Sequence, residues 1–217
     1  MRIYIRLTAN EERVPFNYQQ LLVGTFHKWL GSNNIHDTTS LYSLSWLDHG
    51  IVNKHGFDFP NGATFFISAH DTSLVKQLID AVQQDARLFC GMGAEELVLK
   101  PTPTFGEYQR YIVQSPILIK RKQGERIQFY YPENPESDSL MTETLRRKLK
   151  LAGLSHNVRV SFDREYPRPV KKLCTYKGIK NKGTLNPVIV EGDPEAVSFA
   201  WEVGIGNSTG IGFGAVK

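Results

Sequence analysis

Hydrophobic and polar residues alternate in several stretches of the chain and recur with helical spacing in others. At the start, Ile3, Ile5 and Leu7 alternate with more polar residues, which predicts a β-strand over 2–7. The same criteria predict five further elements as far as residue 100: a helix (18–30), two strands (41–47 and 63–68), a helix (72–84) and a strand (95–100). The first half therefore has a predicted βαββαβ order.

The second half repeats this order with one insertion. The pattern predicts strands (117–121 and 127–131), a helix (140–152), a strand (158–163), two strands near 171–176 and 185–190, a helix (194–203) and a final strand (211–216). Allowing for one inserted hairpin, these are again the elements of a ferredoxin-like fold. We therefore predict an α+β fold of two tandem ferredoxin-like domains, residues 1–112 and 113–217, with a glycine-rich loop at 204–214.

Composition agrees with a folded protein in a reducing compartment. The chain has 217 residues, of which 41% are hydrophobic, enough to bury a core. Its first strand lacks the continuous apolar segment of a signal peptide, and no apolar run reaches membrane-spanning length. Cys90 and Cys174 form no CxxC pair, so neither a disulfide framework nor a structural zinc site is expected. We therefore expect a cytoplasmic protein without membrane contact, metal or cofactor.

Charge is unevenly distributed around the overall net value of +4. Residues 1–112 carry nine basic and eleven acidic residues, whereas 113–217 carry seventeen and eleven. The basic residues of the second half cluster in "KRKQGER" (120–126), "RRKLK" (146–150) and "REYPRPVKKLCTYKGIKNKG" (164–183). Such clusters, with tyrosines interleaved in the last one, indicate a surface that binds a polyanion. For the helical "RRKLK" stretch, a solvated helix face is an equally good interpretation.

The end of the chain, "VGIGNSTGIGFGAVK" (203–217), contains five glycines. Asp193 and Pro194 are typical of a helix start, so a helix precedes the glycines. Dinucleotide-binding and P-loop motifs have the opposite order, with the helix after the glycines, which argues against both. A helix C-cap and a tight turn would need only one or two glycines. Five of them predict backbone amides that are open to an anionic ligand.

This tail, a helix followed by "GxGxxxGxGxG" and a final strand, resembles the C-terminal loop of the CRISPR-associated endoribonucleases that process repeat RNA, which are members of the RAMP superfamily. The opening "MRIYIRL…VPFNYQQLLVGTFHKWL" resembles that family's first strand and helix, and "SPILIKRK" resembles its central strand. The resemblance spans the whole chain. It implies a metal-independent endoribonuclease that cuts precursor CRISPR RNA within each repeat, leaving a 2′,3′-cyclic phosphate and a 5′-hydroxyl.

The resemblance also implies two catalytic histidines among the six in the chain. His36, in "IHD" before "SLYSLSW", lies where the family has its principal catalytic histidine, and His27 lies where some members have a Tyr or His partner. Histidine suits either proton transfer near neutral pH. Without the resemblance, both residues are interpreted as ordinary surface histidines.

The chain departs from the family pattern at one position. Some members have a lysine a few residues after the catalytic histidine, where this chain has Ser40 and Tyr42. Such a lysine would stabilise the charge of the transition state. Either Lys54 or a basic residue of the second half takes this role, or the site is weaker.

The partner that the resemblance implies is the repeat RNA, held between the glycine-rich loop and the basic strands. The predicted RNA-binding residues are Lys120, Arg121, Lys122, Lys171, Lys172, Gly204, Gly206, Asn207, Ser208, Gly210, Gly212 and Gly214. One alternative is a non-catalytic RAMP subunit that binds guide RNA, with the subunits of an effector complex as further partners. A small-molecule phosphate or nucleotide enzyme is a second alternative, which the order of helix and glycines disfavours. The sequence leaves open whether the protein is a monomer or a homodimer.

Overall fold

A computed structural model describes residues 1–31 and 39–217. The elements of the first half are, in chain order, β1 (Arg2–Leu7), α1 (Gln19–Leu30), β2 (Tyr42–Leu44), β3 (Ile51–Asn53), β4 (Gly56–Asp58), β5 (Ala63–Ala69), α2 (Thr72–Gln84) and β6 (Ala94–Lys100). Those of the second half are β7 (Tyr108–Tyr111), β8 (Lys120–Gln123), β9 (Arg126–Phe129), α3 (Ser137–Leu151), β10 (Val158–Phe162), β11 (Val170–Tyr176), β12 (Ile179–Leu185), β13 (Val188–Gly192), α4 (Pro194–Val203) and a short 3-10 helix (Thr209–Ile211).

The first half forms an antiparallel sheet with strand order β2-β5-β1-β6. The alternation along β1 explains its central place, because Ile3, Ile5 and Leu7 are fully buried and pack in one core with residues of α1 and α2. Hairpin β3–β4 is inserted between the second and third strands of the unit. With that insertion removed, the order of elements is βαββαβ, as the sequence predicts.

The second half repeats the arrangement around strand order β10-β13-β7. Its core includes Met141, Leu145 and Leu149 of α3 and several residues of α4. Beside β7, Val113 and Val216 form a single antiparallel bridge at the position of a fourth strand. Hairpins β8–β9 and β11–β12 are separate two-stranded sheets. The predicted α+β class with two tandem ferredoxin-like units is confirmed.

The first predicted strand of the second half, 117–121, is wrong over most of its length. Only Lys120 and Arg121 of the stretch 117–121 are in a strand, and that strand opens hairpin β8–β9; Ile117 makes one bridge to Thr184. The strand that opens the second sheet is β7, which is short and largely exposed and therefore gives a weak alternation signal. β7 pairs with β13 and so belongs to the second sheet. The exact division at residue 112 stays a prediction.

The predicted final strand, 211–216, is also wrong over most of its length. Ile211 ends the short 3-10 helix, and Gly212 and Gly214 have backbone φ angles of +82° and +63°. These left-handed conformations are incompatible with a continuous strand. Only Val216 keeps a bridge to Val113.

The buried side chain of Arg2 joins the two halves. Its Nη2 donates to the carbonyl oxygens of Trp201 and Val216 at 2.8 and 2.7 Å. Its guanidinium lies 3.7 Å from the ring centroid of Phe66 and 3.6 Å from that of Trp201. Burial lowers the pKa of Arg2 to about 10, so the group is still charged at neutral pH. The charge is therefore satisfied by carbonyl oxygens and aromatic faces.

We expect Arg2→Met to lower the free energy of unfolding by about 3 kcal/mol, because two buried carbonyl groups lose a charged donor and two rings lose a cation. Arg6→Met, on the same strand but exposed, is the matched control and should change stability by less than about 1 kcal/mol. Urea unfolding at constant pH measures both. Equal effects of the two substitutions would show that Arg2 is not a structural tie.

Candidate nucleic-acid interface

The glycine-rich loop begins where α4 ends and returns to its own starting point. The amide of Gly204 donates to the Ala200 carbonyl, and the Ile205 amide donates to the Gly214 carbonyl at 2.8 Å. The amide of Gly214 in turn donates to the Pro116 carbonyl at 2.9 Å, and that of Gly212 to the Thr209 carbonyl at 3.3 Å. The amides of Gly204, Gly212 and Gly214 are therefore engaged within the protein and are not open to a ligand.

Close backbone contacts explain why glycine stands at these positions. A Cβ atom on Gly214 would lie 1.8 Å from the Ile205 carbonyl oxygen, and one on Gly206 would lie 2.7 Å from the Leu118 carbonyl oxygen. Both residues also have positive φ angles. The protein's own backbone thus requires these glycines, whatever the loop binds.

The part of the loop that reaches solvent is its middle. Asn207 and Ser208 are partly exposed, and Ser208 has a left-handed φ of +61°. Within residues 1–31 and 39–217, the amides of Gly206, Ser208 and Gly210 donate to no acceptor. Gly206 and Gly210 are buried, so of these three amides an anion would meet that of Ser208 first. Contact between RNA and the loop stays a prediction.

The loop packs against the first half of the chain through polar contacts with Gln19, Tyr42 and Trp46, among them one from Gln19 Nε2 to the Ile211 carbonyl. Gln19, in the first turn of α1, donates from Nε2 to the Gly212 carbonyl at 3.3 Å, and Trp46 donates from Nε1 to the same oxygen at 2.9 Å. Thr209 donates from Oγ1 to the Tyr42 carbonyl at 2.8 Å. The N-terminus of α1 and strand β2 therefore position the loop.

A buried lysine that sequence reasoning missed supports the loop from the other side. Lys148 of α3 is 3% exposed, and its Nζ donates to the Val203 carbonyl at 2.9 Å and to Thr209 Oγ1 at 2.8 Å. Burial lowers its pKa to about 7. The sequence does contain a signal for this burial. Lys148 follows Leu145 by three residues and precedes Leu149, which places it on the apolar face of the helix.

His27 lies in the last turn of α1 and is partly buried. Its ring is 5.2 Å from that of Phe26, and the Phe26 ring is 5.1 Å from that of Tyr42. A Cβ atom on Gly210 would lie 2.8 Å from the Tyr42 hydroxyl and 2.2 Å from Ser40 Oγ, so this part of the loop is next to both side chains. The fold thus brings α1, the Ser40–Tyr42 stretch and the loop together. His36, the other predicted catalytic residue, lies outside the described residues.

Asn207 connects the loop to two of the predicted RNA-binding cations. Its Oδ1 accepts hydrogen bonds from the Lys120 amide at 2.9 Å and from Arg121 Nη1 at 3.4 Å. Arg121 also donates to Glu143 on α3, so its side chain is fixed. Partial burial lowers the pKa of Lys120. The Lys120 amide and the Arg121 guanidinium therefore hold the middle of the loop at Asn207.

The other predicted cations differ in whether their ammonium groups have partners within the protein. Lys171 pairs with Glu133 and lies 4.4 Å from the ring centroid of Tyr131. Lys122 and Lys172 are exposed on hairpins β8–β9 and β11–β12. Lys54 is exposed in the turn of hairpin β3–β4. Lys148, by contrast, is buried and contacts Thr209 of the loop directly.

Among the described residues, no three His, Cys, Asp or Glu side chains are grouped so that they could hold a metal ion. No described helix has the length and apolar character needed to cross a membrane.

The fold places the chain among proteins with the tandem ferredoxin-like architecture of RAMP proteins. The structure titled "Characterization of a Cas6-related gene from Pyrococcus furiosus" superposes with a TM-score of 0.84 at 18% identity, covering 100% of this chain and 97% of that one. A second structure, "An RAMP protein binding different RNA substrates", superposes with a TM-score of 0.85 at 17% sequence identity, covering 100% of this chain and 98% of that one. Thermus thermophilus Cse3, bound to an RNA that represents a pre-cleavage complex, gives 0.53 at 13%, covering 100% and 98%. At these identities the likeness is one of fold.

The sequence itself identifies the family. Residues 99–217 match the family model "CRISPR associated protein Cas6, C-terminal", which is more than half of the chain. The chain therefore belongs to the Cas6 family, and the resemblance carried by its glycine-rich tail is confirmed. The sequence matches none of the curated proteins.

Lys148→Met is expected to remove part of the pH dependence of stability. The folded pKa is about 7 and the ordinary value is 10.5, so between these pH values the unfolded chain binds one more proton than the folded chain. Stability of the wild type therefore rises with pH in this window, by up to about 1.4 kcal/mol per unit. Urea unfolding between about pH 6 and 9 measures the slope, which should be smaller in the variant. Lys150→Met, exposed on the same helix, should keep the wild-type slope, and an unchanged slope in Lys148→Met would contradict the assignment.

Proposed function

We propose that this protein is an endoribonuclease that cuts precursor CRISPR RNA within its repeats without a metal ion. The 2′-hydroxyl next to the cut attacks phosphorus, the P–O2′ bond forms as the P–O5′ bond breaks, and the products are a 2′,3′-cyclic phosphate and a 5′-hydroxyl. One group must accept the 2′-hydroxyl proton and another must give a proton to the leaving oxygen. We assign His36 and His27 to these two roles.

One observation carries the proposal. In a chain of the Cas6 family, the glycine-rich loop is packed against the helix that carries His27 and against strand β2. RNA that contacts the exposed middle of the loop would therefore lie near α1. Two proteins of this fold bind RNA: a RAMP protein that binds different RNA substrates, and Thermus thermophilus Cse3 bound to an RNA that represents a pre-cleavage complex. Their ligands support an RNA substrate here.

Charge would bring the RNA to this place. The net charge of the second half is +6 and that of the first half is −2, so a polyanion is attracted mainly by the second half. Lys122 and Lys172 are exposed on neighbouring hairpins of that half, where they can neutralise phosphates. Ser208, in the partly exposed middle of the loop, would contact the RNA backbone at closer range.

The first test is cleavage, in EDTA, of repeat RNA from a CRISPR array of the host. We expect one cut, which a single 2′-deoxy substitution at the cut site abolishes because it removes the nucleophile. His36→Ala should lower the rate by about a hundredfold or more, and His27→Ala by less, with RNA affinity nearly unchanged. His156→Ala, which replaces an exposed turn histidine, is the matched control and should cleave like the wild type.

The same experiment separates the proposal from its alternatives. Tight binding of repeat RNA without any cut would identify a guide-RNA-binding subunit. Cleavage that EDTA abolishes, or that continues with the 2′-deoxy RNA, would rule out the mechanism. A preference for free nucleotides over repeat RNA would point to a nucleotide enzyme.

The role of the basic hairpins is tested by the salt dependence of binding. We expect Lys122→Gln and Lys172→Gln each to reduce the slope of log Kobs against log salt concentration by roughly 0.7, the value for one phosphate contact with a single strand. Lys76→Gln, exposed on α2 of the first half, is the control and should leave the slope unchanged. If neither hairpin variant changes the slope, the hairpins do not contact phosphates.

A further inference from the structure

A cleft of about 160 Å³ lies between the segment that leads into α1 and hairpin β11–β12. One wall includes Phe16 and Phe57 of the first half, and the opposite wall includes Leu173 of β11. Gln19 and Trp46 also line it. The cleft is thus formed jointly by the two halves of the chain.

The walls expose apolar groups to solvent. Phe16 is 55% exposed and Leu173 is 57% exposed, although both are large hydrophobic residues. The ring of Phe16 is held edge to face against that of Phe57, with centroids 5.2 Å apart and an interplanar angle of 81°. Neighbouring exposed apolar groups around a cleft mark an interaction site. The fixed ring of Phe16 offers a surface on which a flat ligand can stack.

The cleft is continuous with the glycine-rich loop. Gln19 and Trp46 both donate to the Gly212 carbonyl of that loop. Gln19 is 5% exposed, and its Oε1 is buried and meets no donor among the described residues. A buried acceptor without a partner is costly. A ligand that carries an N–H group could satisfy it after a small movement of this side chain.

The surroundings indicate the class of ligand. Lys182 pairs with Leu173 across hairpin β11–β12, which also carries Lys172, Lys177 and Lys180, and all four lysines are exposed. An aromatic surface, a hydrogen-bond acceptor and a group of cations together fit a nucleobase with its attached phosphates, since unpaired RNA bases are bound by stacking on aromatic rings and by hydrogen bonds to base edges. An apolar peptide would not use the cations.

We propose that this cleft binds one unpaired nucleobase of the RNA, stacked on Phe16, with an N–H group of its edge directed to Gln19. The inference rests on the proposed function, because it takes the RNA to be the ligand of the loop beside the cleft. It adds a fixed point for one nucleotide to the contacts along the phosphates. Selection of single-stranded RNA follows, because a paired base cannot enter.

The test uses repeat RNA in which each position in turn carries 2-aminopurine or lacks its base. We expect the emission of 2-aminopurine to be quenched on binding at one unpaired position, and an abasic site there to weaken binding. Phe16→Ala should weaken the affinity for unmodified RNA by about tenfold, within the range for loss of one base–aromatic stack, and abolish the quenching. In Phe16→Ala the abasic site should cause no further loss. Phe16→Trp should keep affinity and quenching.

Tyr108→Ala is the matched control, since Tyr108 is 56% exposed and lies on β7. It should bind like the wild type. If repeat RNA is bound and cut but Phe16→Ala binds equally well and no position is quenched, the cleft inference fails while the proposed function stands.

Photo-crosslinking tests the opposite outcome, in which the cleft binds RNA but repeat RNA is not the substrate. Repeat RNA and a scrambled RNA of the same length, both containing 4-thiouridine, are irradiated with the protein and the crosslinked peptides are identified. Crosslinks to the segment 16–19 or to Trp46 with both RNAs, without preference for the repeat, would support the cleft and overturn the proposed substrate. Absence of RNA binding in every assay would overturn both.

Discussion

The guanidinium of Arg2 is the contact on which the arrangement of the two halves depends. It projects from β1, the strand between β5 and β6 in the first sheet, and binds carbonyl groups of Trp201 and Val216 in the second half. A buried cation is stable in few arrangements of its neighbours, because the loss of any hydrogen-bond acceptor leaves part of its desolvation energy uncompensated. The two ferredoxin-like units are therefore held in one orientation.

The position of the glycine-rich loop follows from this orientation. Trp201 is fixed by Arg2, and the next residue, Glu202, accepts a hydrogen bond at its carbonyl from Ser43 of β2. The chain that leaves α4 two residues later consequently lies against the first half. Lys148 and Tyr42 then hold Thr209 from opposite sides. A loop with a preset shape loses less conformational entropy when it binds a ligand.

The first half of the fold was predictable because its signals are local. The alternation in β1 and the Asp71 cap of α2, whose side chain accepts from the Ser73 amide, each identify an element within a few residues. In the second half, α3, α4, β10 and β11 were predicted, but the strand that opens the sheet was not. Strand β7 is defined by its pairing with β13, about eighty residues further along the chain, and no local pattern reports such a contact.

The candidate site shows the same limit. The glycines are visible in the sequence, but the reason that glycine is required is a set of tertiary contacts. Gly214 lies close to the Ile205 backbone, and Gly206 lies close to that of Leu118. The sequence places Lys148 within the basic stretch 146–150, which is compatible with a solvated helix face, because a lysine on an apolar stripe can also extend its ammonium group to solvent. Only the packing of α3 against the loop shows that it is buried.

Charge and chemistry are divided between the halves, and this division explains why their orientation matters. Electrostatic attraction acts over a Debye length of about 8–10 Å, so the cations of the second half can recruit RNA without a defined geometry. Proton transfer requires hydrogen-bond distance, about 3 Å, between a histidine and the reacting oxygen. That precision comes from the packing of the loop on α1 and β2, which Gln19 and Thr209 fix. Under the proposed function, affinity for RNA and the rate of cleavage would therefore be set by different residues of the same surface.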